Sequence, residues 1–131
     1  PKSVLLELAD LHQLSELLPL AVRRLAESPT VVLARIWLIQ PPKPGDCVAC
    51  RFADECPDRA RCLHLVASAG SSIQSQETGW QRVEGAFRRF PIGVRKVGRI
   101  AATGESLEVA DMTGNHLWVA DPDWIRAEQI Q

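Results

Sequence analysis

The sequence lacks a marked excess of charge of either sign. It carries 15 lysine and arginine residues against 16 aspartate and glutamate residues, which gives a formal net charge of −1. Without a positive field over the whole domain, attraction to the phosphates of nucleic acid is weak. The balance therefore predicts that this segment has no direct nucleic-acid partner.

Long apolar runs are lacking as well. No stretch approaches the roughly 20 apolar residues that cross a bilayer. The first residues show no basic region followed by an apolar core, the pattern of a signal peptide. We expect no membrane partner and a cytoplasmic location. In that reducing compartment, clustered thiols hold metal more often than they form disulfides.

Motifs of common catalytic sites are also missing. The chain contains no G-x-S-x-G elbow, no P-loop, no H-E-x-x-H helix and no Gly-rich dinucleotide fingerprint. Hydrolytic and nucleotide chemistry therefore lack their usual parts. This absence favours a protein that is not an enzyme.

Length and composition indicate one globular domain. The chain of 131 residues is long enough to bury a core without disulfides. Hydrophobic residues make up 46% of it and charged residues 24%, the balance of an ordinary globular protein. We therefore predict a single domain over residues 1–131, with an N-terminal helical segment at 1–28 and a cysteine loop at 40–62.

Helical periodicity marks two segments. From Ser3 to about Ser28, apolar residues recur every three or four positions, which predicts an amphipathic helix. Pro19 lacks a backbone donor and is expected to kink this segment or to split it into two helices. Its apolar stripe either packs on the protein's own core or pairs with a second copy as a short coiled coil. Residues 94–103 predict another helix, which ends at Gly104.

Three short segments have the composition or alternation of strands, at residues 30–39, 63–69 and 106–110. The Pro- and Gly-containing run 40–46 ends the first strand, so the cysteine segment joins the first two strands. The stretch 80–92 has no clear periodicity, although Pro91 favours an extended end. Asp121 followed by proline predicts the start of a last helix.

All cysteines of the chain lie in one short segment. Cys47, Cys50, Cys56 and Cys62 have the spacing C-x2-C-x5-C-x5-C. A CxxC pair can turn two thiolates toward one point, and two further cysteines nearby complete four-fold coordination without closure of a distant loop. The spacing predicts a metal centre held by these four residues.

The kind of metal stays open from the spacing. Four thiolates suit tetrahedral zinc and an iron–sulfur cluster. Zinc ribbons usually supply two short CxxC pairs, whereas only the first pair is short here, and wider arms favour a multinuclear cluster. We expect an iron–sulfur cluster, with a zinc ion as the alternative and disulfides or free thiols as the non-metal alternatives. His64 is either a fifth ligand or, as we favour, a buried histidine held by a hydrogen bond.

Several segments together resemble a GAF domain. They are ARIWLI (34–39), CLHLVASAG (62–70), GVRKVGRIAATGESLEVADM (93–112) and WVADPDWI (118–125). With the cysteine loop and the run GAFRRFPIGVRKVGRIAATGE (85–105), the chain is similar to the N-terminal sensor region of bacterial AAA+ activators that work with the alternative sigma factor. Related sensor kinases are similar in the same way.

The resemblance implies an α+β fold, a GAF-like antiparallel sheet flanked by helices. The family normally adds one or two apolar strands after the last helix, and the sequence reaches Gln131 before any such run. The resemblance therefore implies truncation at the C-terminal strands and a piece of a longer protein. GAF domains commonly dimerise through terminal helices, which implies a homodimer through the N-terminal helix.

For function, the resemblance implies a regulatory sensor domain in signal transduction or transcription regulation. It would sense redox state or a gas through the four-cysteine centre and signal through helix packing to an output domain of the full-length protein. One alternative is a GAF domain that binds a small-molecule ligand and carries a structural zinc. Another is a thiol-based methionine sulfoxide reductase, an activity of some GAF domains, with Cys47 or Cys50 as nucleophile.

A GAF-type ligand pocket would be lined by large apolar residues, namely Trp37, Trp80, Phe87, Phe90, Ile92 and Trp118. The same residues are equally suited to a packed core, and core packing is the more common role of large aromatic side chains. Basic residues cluster nearby in the sequence at Arg88, Arg89, Arg95 and Lys96. They either meet an anionic ligand or partner or, as we favour, form a solvated face.

Overall fold

The computed structural model describes residues 4–71, 79–85, 87–108, 123 and 126, with the backbone alone described for 4–12. By the density of its contacts the chain divides into two compact units. The first is Pro1–Ile36 with Val66–Val83, and the second is Trp37–Leu65 with Glu84–Gln131. The prediction of a single domain remains a prediction.

The secondary structure is mixed, which confirms the α+β class. The elements are helix α1 (Val4–Ala26), strand β1 (Leu33–Gln40), helix α2 (Asp46–Ala49), strand β2 (Cys62–Gly70), strand β3 (Arg89–Pro91) and helix α3 (Arg95–Thr103). Short 3-10 turns lie at Ala53–Glu55 and Gly79–Gln81. The strands form one antiparallel sheet in the order β1-β2-β3. A GAF-like arrangement of these elements remains a prediction.

Helix α1 belongs to the first unit and confirms the predicted N-terminal helix. It runs through Pro19 as one helix instead of splitting there. Proline inside a helix costs about 3 kcal/mol. Burial of Val22, only 1% exposed one turn later, offsets part of that cost.

The core of the first unit lies between α1 and the later half of β2. Val22 packs with Ala67 and Ala69 of β2. Flanking side chains of this cluster are Leu18, Ala26, Ala34 and Ile36. The small alanines on β2 let the helix approach the strand closely. The helix therefore packs on the protein's own core along one face.

The core of the second unit is aromatic. Phe52, Leu63, Phe90 and Val94 are its buried members. Phe52 stacks on Phe90 with ring centroids 4.7 Å apart, and Trp37 meets Phe90 edge-on at 5.2 Å. The pairing of Leu63 opposite Phe90 between β2 and β3 places both on this core.

Helix α3 follows β3 through a tight turn and ends as predicted. Gly104 at its C-terminus has φ of +71°, and its N–H bonds the carbonyl of Ile100. A left-handed residue with this bond is the common way to stop a helix, and glycine adopts it without strain. The extended end predicted at Pro91 is confirmed by its position in β3.

Other predicted elements differ in extent. The cysteine segment is not a plain loop, because it contains α2 and a 3-10 turn. In the stretch predicted as a strand at 106–110, residues 106–108 are not in a strand, and the other two lie outside the described residues. The start of the last helix at Asp121 also lies outside them. The two described positions beyond it, Asp123 and Arg126, are helical.

Candidate metal centre

All four cysteines line one cavity in the second unit. Its walls are completed by Pro42, Asp46, Ala53, Asp58, Arg59, Arg89 and Pro91. The volume of the cavity is about 20 Å³. That space exceeds the minimum for one buried water molecule, and the full free space between the walls is larger. Residues far apart on the loop thus line the same cavity.

Each cysteine is placed by the beginning or end of a short element. Cys47 lies within α2, and Cys50 is the extended residue that ends this helix. Cys56 ends the following 3-10 turn. Cys62 opens strand β2 opposite Pro91 of β3. Helix α2, the 3-10 turn and the start of β2 therefore set the positions of the cysteines around the cavity.

Phe52 attaches the cysteine loop to the core. It lies between the second and third cysteines, and it is only 4% exposed. Its ring packs between those of Phe90 and Phe87. Burial of a phenylalanine side chain stabilises by about 1.5–3 kcal/mol. The loop is thereby held on the sheet without any contribution from a metal.

A part-buried ion pair joins the start of the loop to β3. Arg89 Nη1 lies 3.3 Å from Asp46 Oδ1, with side chains 9% and 20% exposed. Arg89 Nη2 donates to the Asp46 carbonyl at 3.1 Å. The hydrogen bond from the Lys43 N–H, and to a smaller degree the charge of Arg89, hold the pKa of the Asp46 carboxyl below its usual value.

Arg89 also faces the cysteines. Its side chain lines the cavity, and its Nε is buried without a hydrogen-bond acceptor among the described residues. An unsatisfied buried donor is uncommon in proteins and costs free energy. A group that carries negative charge in this cavity would therefore be stabilised by Arg89.

Cys62 is the cysteine with a shifted ionisation. Burial is the main cause that raises the pKa of the Cys62 thiol, with the other three cysteines adding to the rise and Arg89 opposing it. Mutual influence among the four sulfurs agrees with their shared cavity. A bound metal reverses this tendency, because it takes up the thiolate.

Two sulfurs have polar neighbours of their own. Cys62 Sγ lies 3.3 Å from His64 Nε2. His64 is half-buried on the same strand, so the predicted hydrogen-bonded histidine has the sulfur as its partner. The Cys56 thiol donates to the carbonyl of Asp58 at 3.3 Å. Coordination by Cys56 would release that proton.

Zinc and an iron–sulfur cluster require different distances between the cysteine sulfurs. Within the described part of the chain, no group of three or more His, Cys, Asp or Glu side chains could hold a metal ion as they stand. Four sulfurs bound to one zinc at about 2.3 Å lie only about 3.8 Å from one another. In a [4Fe–4S] cluster each cysteine binds a different iron and the sulfurs stay further apart, whereas in a [2Fe–2S] cluster two cysteines share each iron.

The predicted pocket aromatics are divided by the structure. Trp37, Phe87 and Phe90 come together in the core around Phe52. Trp80 belongs to the first unit, where its carbonyl accepts a hydrogen bond from Ser68. Ile92 is half-buried in the turn after β3. Trp118 lies outside the described residues. The ligand-pocket assignment of these residues remains a prediction.

Comparisons with known proteins assign no family. No protein-family model matches the chain, and no curated protein or solved structure matches it. The resemblance to GAF sensor regions therefore rests on the sequence segments alone. Among the described residues, no helix has the length and apolar character needed to cross a membrane.

Two contributors to the site were missed from the sequence. Asp46 and Phe52 both lie inside the cysteine segment, where their proximity to the cysteines was a usable signal. Arg89 was placed with a solvated basic face, yet its side chain is 9% exposed and paired with Asp46. Only the pairing of β3 with β2 brings Arg89 to the cavity.

Replacement of Arg89 by glutamine is expected to lower the melting temperature by about 10 °C, because a part-buried carboxylate loses its cationic partner. Thermal unfolding followed by circular dichroism measures this shift. Arg24→Gln is the matched control, since its ion pair with Glu27 has side chains 71% and 66% exposed. That change should shift the melting temperature by only a few degrees or less. Equal shifts would contradict a structural role of the Arg89 pair.

Proposed function

We propose that this chain is a regulatory sensor domain that holds an iron–sulfur cluster through Cys47, Cys50, Cys56 and Cys62. The observation that carries the proposal is that all four cysteines line the same cavity. When bound, such a cluster supplies a centre whose charge and integrity respond to redox state and to reactive gases.

The chain's own residues tune and hold the centre in this proposal. Arg89 offsets the negative charge of four thiolates from inside the cavity wall. His64 orients its Nε2 toward Cys62 Sγ and donates a hydrogen bond once the sulfur is a thiolate. Phe52 keeps the loop on its aromatic core when the centre changes. These contacts would hold the cysteine loop in place around the centre.

The partner of α1 is a second copy of this chain. While Val22 is buried, the helix leaves a row of exposed leucines, namely Leu14, Leu17, Leu20 and Leu25, with exposures from 40% to 57%. Leucines at three- to five-residue spacing on a helix favour pairing with an identical helix. A homodimer would bury this row.

Strand β2 offers a direct connection along the chain from sensor to helix. It begins with Cys62 and later carries Ala67 and Ala69, which pack with Val22 of α1. The helix pair would have two packing states. A change at the centre shifts the equilibrium between them only if it stabilises one packing state more than the other. In the full-length protein, the shifted helices would bias an output domain.

The frame of this proposal is a cytoplasmic GAF-type domain of a bacterial signalling or transcription-activating protein. The support is the set of GAF-like segments together with the α+β secondary structure. We propose no catalytic activity. The alternatives remain a small-ligand GAF domain with a structural zinc and a methionine sulfoxide reductase that uses Cys47 or Cys50.

Metal analysis of anaerobically purified protein tests the proposal. We expect more than one iron per chain, a comparable amount of acid-labile sulfide, and broad visible absorption that changes on reduction or exposure to air. One zinc per chain in a colourless protein would replace the cluster with the structural-zinc alternative. Protein without metal that reduces methionine sulfoxide would support the enzyme. Each outcome is distinct in the same sample.

A further inference from the structure

A second cavity adjoins the metal centre in the same unit. It is lined by Ala49, Cys50, Arg51, Gly85, Arg88 and Arg89. Its volume is about 230 Å³, which is far larger than that of the cysteine cavity. Several water molecules fit in such a space, and so does a tetrahedral oxyanion. Three of its six lining residues are arginines.

The positive charge of this cavity is only partly balanced. Arg89 is paired with Asp46. Within the described ranges, neither Arg51 nor Arg88 forms an ion pair with a carboxylate. Arg51 instead places its guanidinium 4.8 Å from the ring centre of Phe87, a contact that orients the group and leaves its N–H edge available. Among the described residues, Arg51 and Arg88 thus line the cavity without an ion pair, although the charge of Arg88 also helps to lower the pKa of Asp46.

The remaining wall leaves room for a ligand beside these groups. Gly85 has φ of +117°, and apart from its chain neighbours no atom of the described residues lies within 4 Å of the position that a Cβ would occupy there. Guanidinium groups bind oxyanions through paired, charge-assisted hydrogen bonds. The guanidinium groups that line the cavity can therefore donate hydrogen bonds to a bound oxyanion.

We infer that this cavity is a binding site for a small tetrahedral oxyanion of the phosphate class, held by Arg51 and Arg88 with the charge of Arg89 behind them. The site goes beyond the proposed sensing function and needs no particular metal. It shares Cys50 and Arg89 with the cysteine cavity. Negative charge on the thiolates opposes an anion next to them, so bound oxyanion and the charge state of the centre influence each other reciprocally.

Titration calorimetry with inorganic phosphate, at constant ionic strength maintained with chloride, tests the site on anaerobically purified full-length chain. We expect a dissociation constant of about 1 mM or lower. Arg51→Gln and Arg88→Gln should each weaken binding about tenfold, the loss of one charge-assisted contact. Arg61→Gln is the matched control, because Arg61 is exposed in the same loop and lines neither cavity. It should bind as the unaltered protein does.

Absorption and metal content recorded on the same samples report the metal centre separately, so failure of one proposal is distinguishable from failure of the other. If Arg88→Gln does not fold, the exposed Arg51 decides the matter through R51Q, with R51K expected to restore part of the affinity. Absence of phosphate binding up to about 10 mM would overturn the site. Equal affinities of R51Q, R61Q and the unaltered protein would overturn it as well.

Discussion

Replacement of Cys62 by serine is expected to abolish retention of the metal during purification, with a loss of affinity of at least about 100-fold. Cys62 lines the shared cavity with the three other cysteines, and in the proposed centre each of the four thiolate bonds would carry a large share of the binding free energy. A hydroxyl does not replace it, because serine is far less acidic and is a poor ligand for these metals. Iron, sulfide and zinc content per chain measure the result.

The same loss is expected for serine at Cys47, Cys50 and Cys56. Equal effects at all four positions distinguish a four-ligand centre from a reductase, which depends on its nucleophile and its resolving cysteine alone. Val48→Ser is the matched control in the same short helix, because Val48 is 91% exposed. It should retain the metal. Full retention in any of the four cysteine variants would remove that residue from the ligand set.

Replacement of Gly98 by alanine is expected to destabilise the fold by about 3 kcal/mol or more, a fall in melting temperature of about 10 °C. A Cβ at this buried position would collide with the carbonyl oxygen of Pro91 and crowd the backbone of Gly93. Both obstacles are main-chain atoms, and the Gly93 N–H also donates to the Gly98 carbonyl at 2.7 Å. No flexible side chain can move aside to make room.

The G98A substitution is also expected to affect the proposed metal centre. Pro91 and Arg89 belong to β3 and line the cysteine cavity, so displacement of β3 should also weaken metal retention. Ala102→Ser is the control, since it adds one atom at an exposed position of the same helix and costs less than about 0.7 kcal/mol. Chemical denaturation and metal content measure both variants. A G98A protein as stable as A102S would show that β3 and α3 do not approach as described.

Local patterns were sufficient for several elements. The apolar period of α1, the alternation of β2 and the glycine that ends α3 each act within a few residues, where steric preference and burial on one face decide the structure. The predicted split at Pro19 was wrong, because the helix runs through the proline, and burial of Val22 offsets part of the local penalty. The last predicted strand failed over 106–108, where short runs carry weak signals.

The sequence by itself determined which side chains could hold a metal, since four thiols confined to residues 47–62 can meet without help from distant chain. Only the tertiary structure decided what surrounds them. The register that sets Leu63 opposite Phe90 and His64 opposite Arg89 brings a buried guanidinium to the cavity. Pairing between strands distant in sequence depends on the whole packed core, so no local spacing in the sequence reveals it.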